Sequence, residues 1–100
     1  MAAQRRIICI GHAALDRIYR IEAFPPEPTK VRAIEHIEVG GGMAANASAA
    51  ISRLGGKVEL WSRVGDDNVG QMIRAGLKAE KVDVRYVQSF DGARSSTSAI

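Results

Sequence analysis

The sequence predicts an α/β fold: a central sheet flanked by helices, joined to a smaller sheet with one solvated face. Three observations predict it. A continuous apolar run, Arg6-Ile7-Ile8-Cys9-Ile10-Gly11, has the texture of a parallel strand buried on both faces. Two later segments alternate polar with apolar residues, as half-exposed strands do. Two helices with apolar periodicity follow, separated by a strand, in the order α/β proteins use.

Along the chain, Asp16 to Glu22 comes close to strict alternation, and Phe24-Pro25-Pro26-Glu27-Pro28 then breaks it. Val31 to Val39 alternates again, with His36 and Glu38 set against Ile37 and Val39. Gly40-Gly41-Gly42 closes this stretch and opens a helix over Met43 to Leu54. Met43, Ala47, Ala50, Ile51 and Leu54 fall on one face of that helix, and Gly55-Gly56 is its stop. Lys57 to Trp61 reads as a short strand. Gly65-Asp66-Asp67-Asn68 turns the chain, and Asp66 or Asp67 is a natural N-cap for a second helix to about Glu80. Its apolar stripe is Val69, Met72, Ile73 and Leu77. Val82 to Phe90 and Ser95 to Ile100 read as two further strands around an Asp91-Gly92 turn.

Composition narrows the function classes. The chain has 100 residues, 46% hydrophobic and 25% charged, the profile of a soluble globular domain. No stretch approaches the ~18 consecutive apolar residues of a membrane span. The apolar run after Met1 to Arg6 stops at Gly11, too short for a signal-peptide core. One cysteine, Cys9, excludes a disulfide framework and a multi-cysteine zinc site, and points to a reducing cytoplasm. The net charge of +3 is dispersed and the aromatic residues are scattered, so neither nucleic acid nor membrane is an expected partner. The chain ends in Ser95-Ser96-Thr97-Ser98-Ala99-Ile100 with no stop signal, which suggests the front part of a longer protein.

The triple glycine is the most informative stretch. Flexible backbone immediately before a helix start offers amide donors to an oxygen-rich ligand, and lets that ligand approach closely. Asn46, in the first helical turn, can donate to and accept from hydroxyl groups. On these residues alone a tight strand-to-helix turn is an equal reading. Gly40-x-Gly42-x-x-Ala45 also satisfies the dinucleotide fingerprint, with Arg63 placed to meet the 2′-phosphate of NADP. Against it, His36 and Glu38 interrupt a preceding strand that should be continuously apolar. Asp16, just past the first strand, lies where α/β ligands bind and could accept from two vicinal hydroxyls; a turn or capping aspartate is the plainer reading. Asp66 and Asp67 read as caps rather than metal ligands. His12 and His36 lack partners at ligand spacing, and Cys9 reads as core. Lys30 and Arg32, after the Pro-rich loop, read as solvated edge charges.

Together these pieces resemble the amino-terminal part of the PfkB, or ribokinase-like, carbohydrate kinase family. The resemblance rests on Ile10-Gly11 followed by Asp16, on Gly41-Gly42-x-x-x-Asn46-x-Ser48, and on Leu54-Gly55, Gly65-Asp66-Asp67 and Gly70. That glycine and asparagine spacing is far more specific than the dinucleotide fingerprint. The resemblance implies a Rossmann-like central sheet with flanking helices and a small β-sheet lid. Residues 1–100 would form the N-terminal portion of one such domain, with lid strands at about 16–39 and 82–100. It implies transfer of the γ-phosphate of ATP, with Mg²⁺, to a sugar hydroxyl. Asp16, Gly41, Gly42 and Asn46 would contact the sugar, and the glycine pair would act as a hinge. The catalytic base and the nucleotide site are expected beyond Ile100, so no catalytic, cofactor or metal residue is assigned in this chain.

Two departures bear on substrate. Ala14 and Met43 stand where ribokinases carry Asn and Lys, which moves the expectation from ribose toward ketoses. Asp16-Arg17-Ile18-Tyr19, Arg63-Val64-Gly65-Asp66-Asp67 and Ser95 to Ile100 are similar to the sulfofructose kinases of that branch. Lys30 would then partner an anionic group on the sugar, with Ser96 and Ser98 facing the pocket. A homodimer through the lid follows by analogy. Two other readings stay open: an NADP-binding Rossmann module, and a sugar-binding relative without catalysis.

Overall fold

The structure is a computed structural model that describes residues 5–100; Met1 to Gln4, part of the amino-terminal stretch read above against a signal peptide, lie outside the described residues. Its elements are β1 (Arg6–Ile10), β2 (Ala14–Arg20), β3 (Glu35–Gly41), α1 (Met43–Arg53), β4 (Lys57–Gly65), α2 (Asn68–Ala79), β5 (Val87–Phe90) and β6 (Ser96–Ala99). They make two three-stranded sheets, ordered β1-β4-β5 and β3-β2-β6. The first is parallel, with Cys9 opposite Leu60 and Val64 opposite Ser89. In the second, β2 pairs antiparallel with β3 and parallel with β6.

The core lies between the parallel sheet and the two helices. Val58, Leu60 and Val64 point from alternate positions of β4 to the side where Ala44, Ala45, Ile73 and Leu77 descend from α1 and α2. Leu60 is 0% exposed, and each such side chain contributes about 1.5–3 kcal/mol by leaving water. The loop before β5 adds Val82 and Val84 to this cluster. Arg74 fastens that loop, donating to the carbonyls of Val84 and Val87 and to the Ser89 hydroxyl.

The apolar run at β1 is a strand, but it is not buried on both faces. Only Cys9 packs against the core, while Ile10 is 71% exposed. Among the described residues β1 is an edge strand whose second face, with Ile8 and Ile10, is uncovered. The inward face of α1 also differs from expectation. Of the expected face, Ile51 packs against the core. Ala44, Ala45 and Ser48 are the buried residues, however, whereas Met43 and Leu54 are 87% and 88% exposed. The sheet selects the small side chains because they let the helix backbone approach closely. The Ser48 hydroxyl loses nothing by burial, since it donates to the Ala45 carbonyl at 2.8 Å. On α2 the inward stripe is Val69, Gly70, Ile73 and Leu77, with Met72 turned outward.

The segments on either side of Asp91-Gly92 belong to different sheets. β5 runs parallel beside β4, so residues 82–90 join the central sheet rather than the smaller one, and only β6 crosses to β2. Burial explains the division: Val82, Val84 and Val87 carry apolar side chains into the core, whereas β6 is short and polar. The chain passes between the sheets three times, and each passage contains a glycine at positive φ: Gly11 (147°), Gly42 (95°) and Gly92 (73°). L side chains rarely adopt that backbone region, so glycine suits these turns.

Candidate functional site

Asp16 occupies the middle strand of the smaller sheet, opposite Val39 on β3 and Ser98 on β6. Opposed residues share a face, so Asp16, Val39 and Ser98 stand together, with Ala14 and Ser96 one repeat away. Ser98 Oγ donates to Asp16 Oδ1 at 2.7 Å, and Oδ2 has no partner among the described residues. The carboxylate is thus held at one oxygen and open at the other.

Gly41 follows from that placement. A Cβ there would fall on the Asp16 carboxylate, so only glycine leaves the acid its position. Gly42, the N-cap of α1, has a second constraint. Beyond its φ of 95°, a Cβ would meet the His12 carbonyl oxygen at 2.5 Å and the Ala13 Cα at 2.8 Å. Its neighbourhood is tied down by the Ala45 amide, which donates to His12 O at 3.2 Å. Only Gly42 separates the end of β3 from the start of α1, which has no acidic side chain in its first turn to compete for its amide donors. Asn46, in that first turn, is exposed and makes no side-chain hydrogen bond among the described residues.

Asp16, Gly41 and Ser98 are thus brought into contact, and Gly42 and Asn46 adjoin them at the helix start. Ser96 shares the face but is exposed and unbonded to Asp16. Lys30 stands apart, exposed in the loop that joins the far ends of β2 and β3. Sequence reasoning did not single out Val39, Ile18 and Ile37, which share the Asp16 face as a half-exposed apolar wall. The alternation of residues 16–22 and 31–39, read above only as half-exposed strands, was the signal that could have assigned them to the site.

A cavity of about 1240 Å³ opens over the carboxyl ends of β1, β4 and β5. Trp61, Tyr86 and Phe90 line it, with Arg63 5.9 Å above the Phe90 ring. It reaches Ser96 but not Asp16, Gly41, Gly42 or Asn46. Asp16 is the candidate because there the Ser98 hydroxyl meets a carboxylate whose second oxygen has no partner among the described residues, whereas the cavity is mainly the uncovered face of the parallel sheet.

The dinucleotide arrangement is not formed. It needs the glycine turn to follow a strand of the parallel sheet, and β3 is instead an exposed edge of the smaller, partly antiparallel one. Asp67, not Asp66, caps α2, its Oδ1 accepting from the Gly70 amide at 2.7 Å. No helix is long and apolar enough to cross a membrane among the described residues.

A parallel α/β sheet joined through glycine passages to a second sheet, with an aspartate set against glycine at the junction, is a ribokinase-like architecture. A putative ribokinase from Agrobacterium tumefaciens superposes on 98% of the chain with a TM-score of 0.89 and 35% identity, over 32% of its own length. The model of the pfkB family carbohydrate kinases matches residues 4–100, and the chain belongs to that family. A Bacillus subtilis ribokinase is 32% identical over 96 residues, 96% of this chain and 33% of its own. An uncharacterised sugar kinase from Pyrococcus horikoshii, solved in complex with ATP, covers 91% of this chain and 28% of its own with a TM-score of 0.76 and 30% identity. The chain spans about a third of the length of these relatives.

Proposed function

We propose that this chain forms the sugar-binding part of a kinase that transfers the γ-phosphate of ATP to a hydroxyl of a ketose-type sugar. The observation that carries this reading is the Asp16 carboxylate, held by Ser98 at one oxygen and open at the other, with Gly41 beneath it. A carboxylate so placed accepts from hydroxyl groups, and an ionised acceptor forms the stronger class of hydrogen bond. Asn46 and the amides at the start of α1 would supply donors to the sugar oxygens. Ile18, Ile37 and Val39 would cover the carbon face of the ring. Family membership and the ATP-bound relative support ATP as donor.

The smaller sheet is the lid in this reading, and its three passages to the central sheet are its hinges. Closure would exclude water, which competes with the sugar hydroxyl as phosphoryl acceptor. Among the described residues no group of three His, Cys, Asp or Glu comes together.

Fructose, a fructose phosphate and sulfofructose are the substrates proposed within the ketose class. For an anionic one, Lys30 would have to reach the sugar from the loop at the far end of the lid. A cytoplasmic location accords with the single cysteine, and pairing of lid edges between copies would give a dimer. The test is ATP-dependent phosphorylation of the three sugars by the intact polypeptide. Turnover of one well above the others identifies the substrate within the ketose class; equal turnover of all three argues against a site selective for an anionic ketose such as sulfofructose, and no turnover of any argues against a kinase.

A further inference from the structure

The capping carboxylate of α2 reaches beyond its helix. Asp67 Oδ1 accepts from the Gly70 amide at 2.7 Å and from the Ser95 hydroxyl at 2.6 Å, and Oδ2 accepts from the Ser95 amide at 2.9 Å. The same Ser95 hydroxyl accepts from the Gly65 amide at 2.8 Å. Asp67 and Ser95 therefore knot together the end of β4, the start of α2 and the residue immediately before β6. The knot is tightly packed. A Cβ at Gly65 would fall on the Ala93 carbonyl, and one at Gly70 would meet Ser95 Oγ at 2.9 Å as well as the Gly65 carbonyl.

What the knot holds is the passage from the central sheet to the smaller one. Three residues past Ser95 stands Ser98, whose hydroxyl holds Asp16. β6 has only four residues and pairs with β2 alone, so its entry point at Ser95 adds to the β2 ladder and the Ser98–Asp16 bond in fixing where it lies. We infer that Asp67 is a positioning residue: through Ser95 it anchors β6 so that Ser98 meets Asp16, and it thereby governs sugar affinity without touching the sugar. The statement about affinity rests on the proposed kinase function; the anchoring of β6 does not.

Two variants of the intact polypeptide separate anchoring from helix capping. Asp67→Asn keeps the oxygen that accepts from the Gly70 amide and the Ser95 hydroxyl but turns an N–H donor toward the Ser95 amide in place of Oδ2. Ser95→Ala leaves the cap untouched and removes both hydroxyl bonds. Asp66→Ser is the control, because the Asp66 side chain makes no hydrogen bond among the described residues. Amide exchange reports directly on β6, since the Ile100 amide donates to Arg17 O and the Tyr19 amide to Ile100 O. Both knot variants are expected to speed exchange at Ile100 and Tyr19 while α2 amides keep their protection. They are also expected to raise KM for fructose about tenfold, with KM for ATP within about twofold, as loss of sugar-site geometry requires. Unchanged exchange at Ile100, or faster exchange spread equally through α2, would overturn the proposal. If the unaltered polypeptide phosphorylates no sugar, the kinase reading fails, and exchange at Ile100 still decides the anchoring.

Discussion

Ser98 Oγ donates a 2.7 Å hydrogen bond to Asp16 Oδ1, joining residues 82 positions apart in sequence. The bond ties together the two parallel strands at the centre of the proposed site and fixes which carboxylate oxygen stays open. Hydrogen bonds to ionised groups contribute about 1.5–3 kcal/mol, so Ser98→Ala should raise KM for the sugar about tenfold. KM for ATP should stay where it is. Steady-state kinetics with each substrate varied in turn checks this.

The two neighbouring glycines make a sharper contrast. A Cβ at Gly41 would occupy the space of the Asp16 carboxylate, whereas one at Gly40 would meet nothing within 4 Å. Gly41→Ala is therefore expected to abolish measurable sugar binding, and Gly40→Ala to leave it unchanged. Calorimetric titration of both variants with fructose, after circular dichroism shows them folded, checks the pair.

The inward face of α1 yields a stability prediction. Ala45 lies in the core and Met43 is exposed. Ala45→Leu should cost about 1–3 kcal/mol through overpacking, and Met43→Ala less than about 0.5 kcal/mol. Urea unfolding of the two variants measures both. The opposite ranking would restore the face that hydrophobicity alone selects.

Acid should weaken the fold through specific carboxylates. The Ser95 hydroxyl, then the Ser95 and Gly70 amides, hold the Asp67 carboxyl below its ordinary value. Arg53 does the same for Glu80, and Arg85 for Asp83. A carboxyl whose folded value is depressed stabilises the fold fully above its unfolded value, near ~4, and loses that contribution as pH falls through the folded one. Thermal midpoints should therefore fall between about pH 5 and pH 2. The fall should be smaller in Asp67→Asn, which has one fewer such group to protonate; an identical slope in both proteins would contradict the assignment.

Local chemistry was readable in the sequence wherever neighbours along the chain decide it. An aspartate cap at Asp66 or Asp67, the glycine start of α1 and the alternation of β2 and β3 all depend on residues close by. What was not readable depends on distant partners. Apolar content favoured Met43 and Leu54 as the inward face of α1, but the sheet accepts Ala44, Ala45 and Ser48 because of their size. Likewise, nothing within Val82 to Ile100 shows that its two strands part company. That follows from the valines entering a core built by β4 and α2. Asp16 and Gly41 were legible as residue types at a family spacing, and their mutual exclusion of a Cβ only as geometry.

The central claim is that Asp16, presented by Ser98 over Gly41, binds sugar hydroxyls. Calorimetric titration of fructose into the intact polypeptide, unaltered and as Asp16→Ala, tests it most directly. Saturable binding that disappears in the folded variant is the predicted result. Equal affinity in both proteins would place the sugar elsewhere.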